Sequence, residues 1–130
     1  MQKFSELKLN PKVVKAIEEV GYINPTPIQL GAIPVACEGR DVLGIAQTGT
    51  GKTASFTLPI ITLLNRGRAR ARMPRSLVLA PTRELAAQVA ENFETYSKYT
   101  KLTKALLIGG VSFKEQDLLI DKGVDVLLSL

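Results

Sequence analysis

The chain has 130 residues, 45% hydrophobic and 22% charged, with a net charge of +5 and an isoelectric point near 9.5, an ordinary globular composition with enough apolar material for one core of moderate size, so one domain is expected. With Cys37 as its only cysteine and no histidine, it can form no intrachain disulfide or usual zinc ligand set, and a reducing cytoplasmic setting is expected. Residues Met1 to Lys8 lack a signal-peptide apolar region, and the longest apolar stretch, Phe56 to Leu64, is interrupted and too short to span a membrane, so a soluble protein is expected.

In chain order, Asn10-Pro11 followed by Val13, Val14, Ile17 and Val20 and then Gly21 predicts a short helix with an N-cap, a proline at its first position and a glycine stop. A second helix is predicted from Thr26-Pro27 to about Glu38, bent or interrupted at Pro34 and closed by Gly39. Next come a strand at Val42–Ala46, a turn, a helix at Lys52–Asn65, an arginine-rich loop and a strand at Ser76–Ala80. Thr82 to Tyr99 places Leu85, Ala86, Val89, Phe93 and Tyr96 at helical spacing; a strand at Lys104–Ile108, a helix at Ser112–Asp121 and a strand at Val124–Leu128 follow. This alternation predicts an α/β fold, a parallel sheet flanked by helices. Runs such as Val42–Ala46 and Leu77–Ala80 are apolar throughout, as strands buried on both faces should be.

The positive charge is local. Arg66, Arg68, Arg70, Arg72 and Arg75 fall in one acid-free stretch, and without them the chain is balanced. Such a patch can bind phosphates or keep a loop in water; the solvated reading is the commoner.

Ala46-Gln-Thr-Gly-Thr-Gly-Lys-Thr53 matches the phosphate-binding loop from its second glycine onward, with Ala46 where the strict pattern has glycine. It lies between a predicted strand and a predicted helix, where turn N–H groups and the helix dipole converge on an anion. Gly49 and Gly51 allow close backbone approach, Lys52 offers an ammonium to the β- and γ-phosphates, and the Thr53 hydroxyl can join a Mg²⁺ shell. A nucleotide with Mg²⁺ is thus expected, held by Ala46, Gln47, Thr48, Gly49, Thr50, Gly51, Lys52 and Thr53, with Lys52 and Thr53 the candidate catalytic pair; an adenine contact from Gln29 would make that nucleotide ATP.

Thr26-Pro27-Ile28-Gln29 reads first as a capping box, Gln29 reaching back to the N-cap. Its amide could also pair with the adenine edge. The segment Gly21-Tyr-Ile-Asn-Pro-Thr-Pro-Ile-Gln29, with Phe4 lying 17 positions before Gly21, resembles the Q motif of DEAD-box RNA helicases. Ala46–Thr53, Pro81-Thr-Arg-Glu-Leu-Ala86 and Gly109-Gly110 match motif I, motif Ia and the glycine doublet in order. Ser97-Lys-Tyr and Gly109-Gly-Val-Ser112 are similar to bacterial members. The resemblance covers essentially the whole chain and implies the first of two RecA-like domains, with residues 1–39 a helical Q-motif segment and 40–130 a partial ATP-binding region of one structural domain.

By that resemblance Gln29 contacts adenine, and Phe4 and Tyr22 pack around the base. Pro81, Thr82, Arg83, Gly109 and Gly110 would lie along single-stranded or duplex RNA and contact its backbone, although Thr82 is equally an ordinary helix cap. After Val124–Leu128 the family continues to a Thr-Pro-Gly-Arg motif, the Asp-Glu-Ala-Asp and Ser-Ala-Thr motifs and a second domain with an arginine finger, none of which is in this sequence. Neither Asp121 nor Asp125 follows a strand as the metal-binding acid must. The sequence is therefore read as a RecA-like domain incomplete at its C-terminus: an ATP-dependent RNA helicase by family, limited here to nucleotide binding. A different P-loop ATPase, such as a DNA translocase, and a non-catalytic interaction fragment are the competing readings.

Overall fold

The computed structural model describes residues 2–47, 49, 51–66, 75–107 and 126–129. It opens with a single 3-10 turn, Phe4–Glu6, which sinks Phe4 and Leu7 into the core. Helix α1 spans Pro11–Val20 with the expected ends: the Asn10 side chain accepts from the Lys12 N–H at 2.8 Å and Gly21 closes it in a left-handed conformation. Helix α2 spans Pro27–Cys37 and runs through Pro34 without a break, so the expected interruption does not occur. Proline removes one bond from the helix ladder, but Ile33 and Cys37 on either side of it are buried, and that packing holds the helix together.

Helix α3 spans Lys52–Asn65, as predicted, and α4 spans Arg83–Tyr96 with Thr82 as its N-cap. Strands β1 (Ser76–Leu79), β2 (Lys104–Leu107) and β3 (Val126–Ser129) form a parallel sheet in the order β1-β3-β2, Ser76 and Lys104 both standing beside Val126. All three coincide with predicted strands, and α4 supplies the long crossover that parallel pairing requires. The predicted helix at Ser112–Asp121 lies outside the described residues.

Two expectations about the sheet fail. Residues 42–46 form no strand: Leu43 is 89% exposed and Ile45 86%, and among the described residues no neighbouring strand pairs with them. An apolar run becomes a strand only when a ladder partner satisfies its backbone, and hydrophobicity cannot reveal whether one is present. Likewise, among the described residues, β1 is covered on one face only. Val78 is buried against the helices, whereas Leu77 and Leu79 are mainly exposed.

The core joins the first helices to the rest. Phe4, Leu7, Val13, Ile17 and Ile33 belong to one buried cluster with Leu58, Ile61, Val89, Phe93, Val126 and Leu128. Each such side chain contributes about 1.5–3 kcal/mol by leaving water. Polar ties reinforce the seams. The Asn10 N–H donates to Thr62 Oγ1 at 3.2 Å, linking α1 to α3. On the surface, the Lys98 ammonium and the Tyr99 hydroxyl both donate to Glu19, and this hydrogen bonding, with Lys98 foremost, holds the Glu19 carboxyl below its ordinary range. Lys15 lies 4.3 Å from the Tyr99 ring centre.

Two arginines of the basic stretch serve the fold. Arg66 donates to the carbonyls of Cys37 and Lys8, and Arg75 donates to the Leu64 carbonyl at 3.0 Å. Both thus meet carbonyls at helix C-termini, where cations are favoured.

Candidate nucleotide site

The N-terminus of α3 has the geometry that suits an anion. Its N-cap is Gly51, at φ +83°, which carries no side chain to cap the helix. First-turn N–H groups of such a helix suit an external acceptor, and the dipole adds positive potential at the same end. Lys52 is exposed there and Thr53 half-buried. Gly49 is left-handed too, at φ +85°. Ala46 is half-buried and Gln47 exposed, while Thr48 and Thr50 lie outside the described residues.

Gln29 connects α2 to this loop. Its Oε1 accepts from the Thr26 N–H at 2.9 Å, the reciprocal bond of the predicted capping box. Its Nε2 donates to the Gly51 carbonyl at 3.1 Å. The side chain is buried at 6% exposure, so both amide atoms are fixed from inside the protein. A primary amide still has one N–H and one acceptor lone pair beyond these two bonds.

Between these elements lies a cavity of about 610 Å³, within the range of small-molecule sites, lined by both Gln29 and Lys52. Thr53, Gly49 and Gly51 border it on the α3 side, with Phe4 and Tyr22 on the side of the first helices. Phe4 is almost wholly buried and forms a wall, whereas Tyr22 is 55% exposed at the cavity's edge. Every described member of the predicted nucleotide set except Ala46 and Gln47 therefore borders one cavity.

The motif Ia residues stand at the start of α4. Thr82 Oγ1 accepts from the Leu85 N–H at 3.2 Å, and Pro81, Thr82 and Arg83 are all exposed. They are not among the lining residues of the cavity, but α4 joins the two places, because Leu85, Gln88, Val89, Asn92 and Tyr96 along one of its faces border it. Sequence reasoning missed Gln88 and Asn92. Their spacing of four, beside the apolar stripe already assigned, was the available signal. Burial pushes the Tyr96 hydroxyl pKa up. Gly109 and Gly110 lie outside the described residues. Among those described, no helix is long and apolar enough to cross a membrane, and no cluster of three or more cysteine, aspartate or glutamate side chains could hold a metal.

A family model described as DEAD/DEAH box helicase matches residues 26–130. Over 114 residues the chain is 52% identical to the ATP-dependent RNA helicase DeaD of Buchnera aphidicola subsp. Schizaphis graminum, covering 87% of this chain and 18% of that protein. Over 130 residues it is 45% identical to the ATP-dependent RNA helicase SrmB of Haemophilus influenzae, covering 99% and 30%. The RNA helicase Prp28 from Chaetomium thermophilum, in a crystal structure bound to ADP, superposes with a TM-score of 0.90 at 35% identity over 99% of this chain and 32% of that one. A DEAD box protein from the hyperthermophile Methanococcus jannaschii gives 0.89 at 33% identity, covering 99% and 34%. The chain thus spans less than a third of the length of these two curated relatives.

Proposed function

Because the chain belongs to the DEAD/DEAH box helicase family, we propose that its cavity binds ATP with Mg²⁺, that the start of α4 meets RNA, and that both serve an ATP-dependent RNA helicase. The observation that carries the reading is the uncapped N-terminus of α3, with Lys52 and Thr53 on a cavity that Gln29 shares. The α3 N–H groups and the Lys52 ammonium receive the phosphates. Mg²⁺ binds through few protein ligands plus phosphate and water oxygens, so the single Thr53 hydroxyl suits it; the ion would neutralise phosphate charge. The spare hydrogen-bonding capacity of Gln29 faces the adenine edge, with Tyr22 and Phe4 packed about the base.

In this reading residues 1–39 form the Q-motif segment and 40–130 the nucleotide-binding portion, with 46–53 the Walker A loop. Pro81, Thr82, Arg83, Gly109 and Gly110 contact the RNA backbone, single-stranded or duplex, and the protein works in the cytoplasm. The relatives named above, described as ATP-dependent RNA helicases, and the ADP-bound state of the Prp28 structure support the nucleotide and RNA readings.

Calorimetric titration of the chain with ADP and GDP, beside Lys52→Ala, tests the nucleotide reading. ADP should be preferred, and Lys52→Ala should weaken it by about tenfold or more, as loss of a charge-assisted contact does. A folded chain that binds neither nucleotide would contradict the proposal. For RNA, Arg83→Ala should weaken single-strand binding uniformly across sequences and lower its salt dependence; unchanged binding would remove Arg83 from the interface.

A further inference from the structure

We infer that two copies of this chain associate through an uncharged apolar surface made by residues 42–46 and the open face of β1. Leu43 and Ile45 have the two-residue spacing that puts side chains on one face of a strand, and so do Leu77 and Leu79. The first pair is 89% and 86% exposed, the second 60% and 67%. Within one copy, therefore, neither pair covers the other. Phe56 of α3 links them, since it borders a small cleft with Val42 and Gly44 and the large cavity with Leu79.

The area matches what a second copy needs. With the exposed parts of Val42 and Phe56, the surface presents roughly 450 Å² of apolar side chain, taking a fully exposed one as somewhat over 100 Å². Soluble monomers seldom leave more than a few hundred Å² uncovered in one patch. A standard interface covers about 800 Å² on each partner, a little over half of it apolar, which is again about 450 Å². Charge narrows the partner further. No residue from Val42 to Gln47 or from Ser76 to Pro81 is charged, so this surface offers no cation to RNA phosphates and no ion pair to a charged protein. β1 also lacks the charges with which open strands of monomers keep neighbours away.

The two halves complement each other. Among the described residues, 42–46 make no backbone hydrogen bond and β1 is paired along one edge alone, with β3. Each half thus holds the backbone groups and the apolar cover that the other lacks. A two-fold axis can lay residues 42–46 of each copy on β1 of the other, so that the same contact forms twice and closes a dimer.

Sedimentation velocity without nucleotide, from submicromolar to high micromolar chain, tests the inference independently of the nucleotide reading. Ile45→Lys and Leu79→Lys each place a charge in one half at a position open in the single copy, and Val20→Lys does the same at an exposed apolar residue of α1. Ile45→Ser and Leu79→Ser repeat the test without a charge, and far-ultraviolet circular dichroism shows that each variant is folded. Wild-type mass should rise with concentration from 14.1 kDa to twice that value, with dissociation in the micromolar range expected of an interface without charged pairs. Each lysine in the surface should weaken association by about tenfold or more, as burying an unpaired charge does, each serine by less, and Val20→Lys should match wild type. Urea unfolding below the dissociation constant then reads the single copy. A chain that stays at 14.1 kDa throughout, association untouched by both lysines or lost equally in Val20→Lys, or assemblies that grow beyond two copies would overturn the inference.

Discussion

Replacing Gly51 and Gly49 separately by alanine compares two glycines with nearly the same backbone and very different surroundings. Gly51 sits at φ +83° and Gly49 at φ +85°, so each alanine incurs the left-handed penalty of about 1–2 kcal/mol. A Cβ at Gly49 meets nothing within 4 Å. At Gly51 it meets Gln29 Nε2 at 2.2 Å, the Gln29 amide carbon at 3.1 Å and Thr26 Oγ1 at 3.3 Å. Gln29 must then move, releasing its bonds to the Thr26 N–H and the Gly51 carbonyl inside a largely buried setting, at a further cost of about 1–3 kcal/mol. Gly49→Ala should therefore lose about 1–2 kcal/mol and Gly51→Ala about 2–5 kcal/mol, read by urea unfolding followed by circular dichroism without nucleotide. The double variant Gln29→Ala/Gly51→Ala removes the obstruction and should show coupling in a double-mutant cycle. Equal losses for the two glycine variants, or strict additivity in the cycle, would refute the reasoning.

Other consequences concern the scaffold. Thr82→Ala removes the cap on the Leu85 N–H and should cost about 1 kcal/mol in urea unfolding; an unchanged midpoint would show that the cap is redundant. Phe93→Ala empties a site that is 2% exposed and should cost about 3–5 kcal/mol, while Leu77→Thr on the open face of β1 should stay within about 0.5 kcal/mol. Glu19 and Glu38 are both held below their ordinary carboxyl range, first by hydrogen bonds from Lys98 and Lys8 respectively. A carboxyl depressed in the folded state adds stability above its unfolded pKa and loses it as pH falls through the folded one. Melting temperature should therefore fall on acidification below about pH 4.5, less steeply in a Glu19→Gln variant; identical pH profiles would show that solvent screens the pair completely.

Local signals made most of the helices legible. Asn10-Pro11 and Gly21 marked both ends of α1, Thr82 capped α4 as its sequence suggested, and Thr26 and Gln29 announced the start of α2. The candidate site was legible for the same reason, since a glycine turn, a lysine and a helix start are contiguous. What stayed hidden depends on partners distant in sequence. Whether residues 42–46 pair with a neighbour, and which side of β1 is covered, is decided by chain that their own hydrophobicity does not describe. The Gln29–Gly51 bond crosses 22 positions, and Arg66 meets the carbonyl of Cys37 from 29 positions away. Composition alone gave the arginine stretch a solvated character, and it could not show Arg66 and Arg75 bound to helix ends.

Mapping the ADP-induced shifts of backbone amides on the ¹⁵N-labelled chain tests most directly whether the first helices and the phosphate loop form one nucleotide site. Perturbations should concentrate at Tyr22, Gln29, Gly49 and Gly51 to Thr53, and should be markedly smaller in Lys52→Ala at the same subsaturating ADP concentration. Shifts that bypass both Gln29 and the start of α3, or that are undiminished in Lys52→Ala, would contradict it.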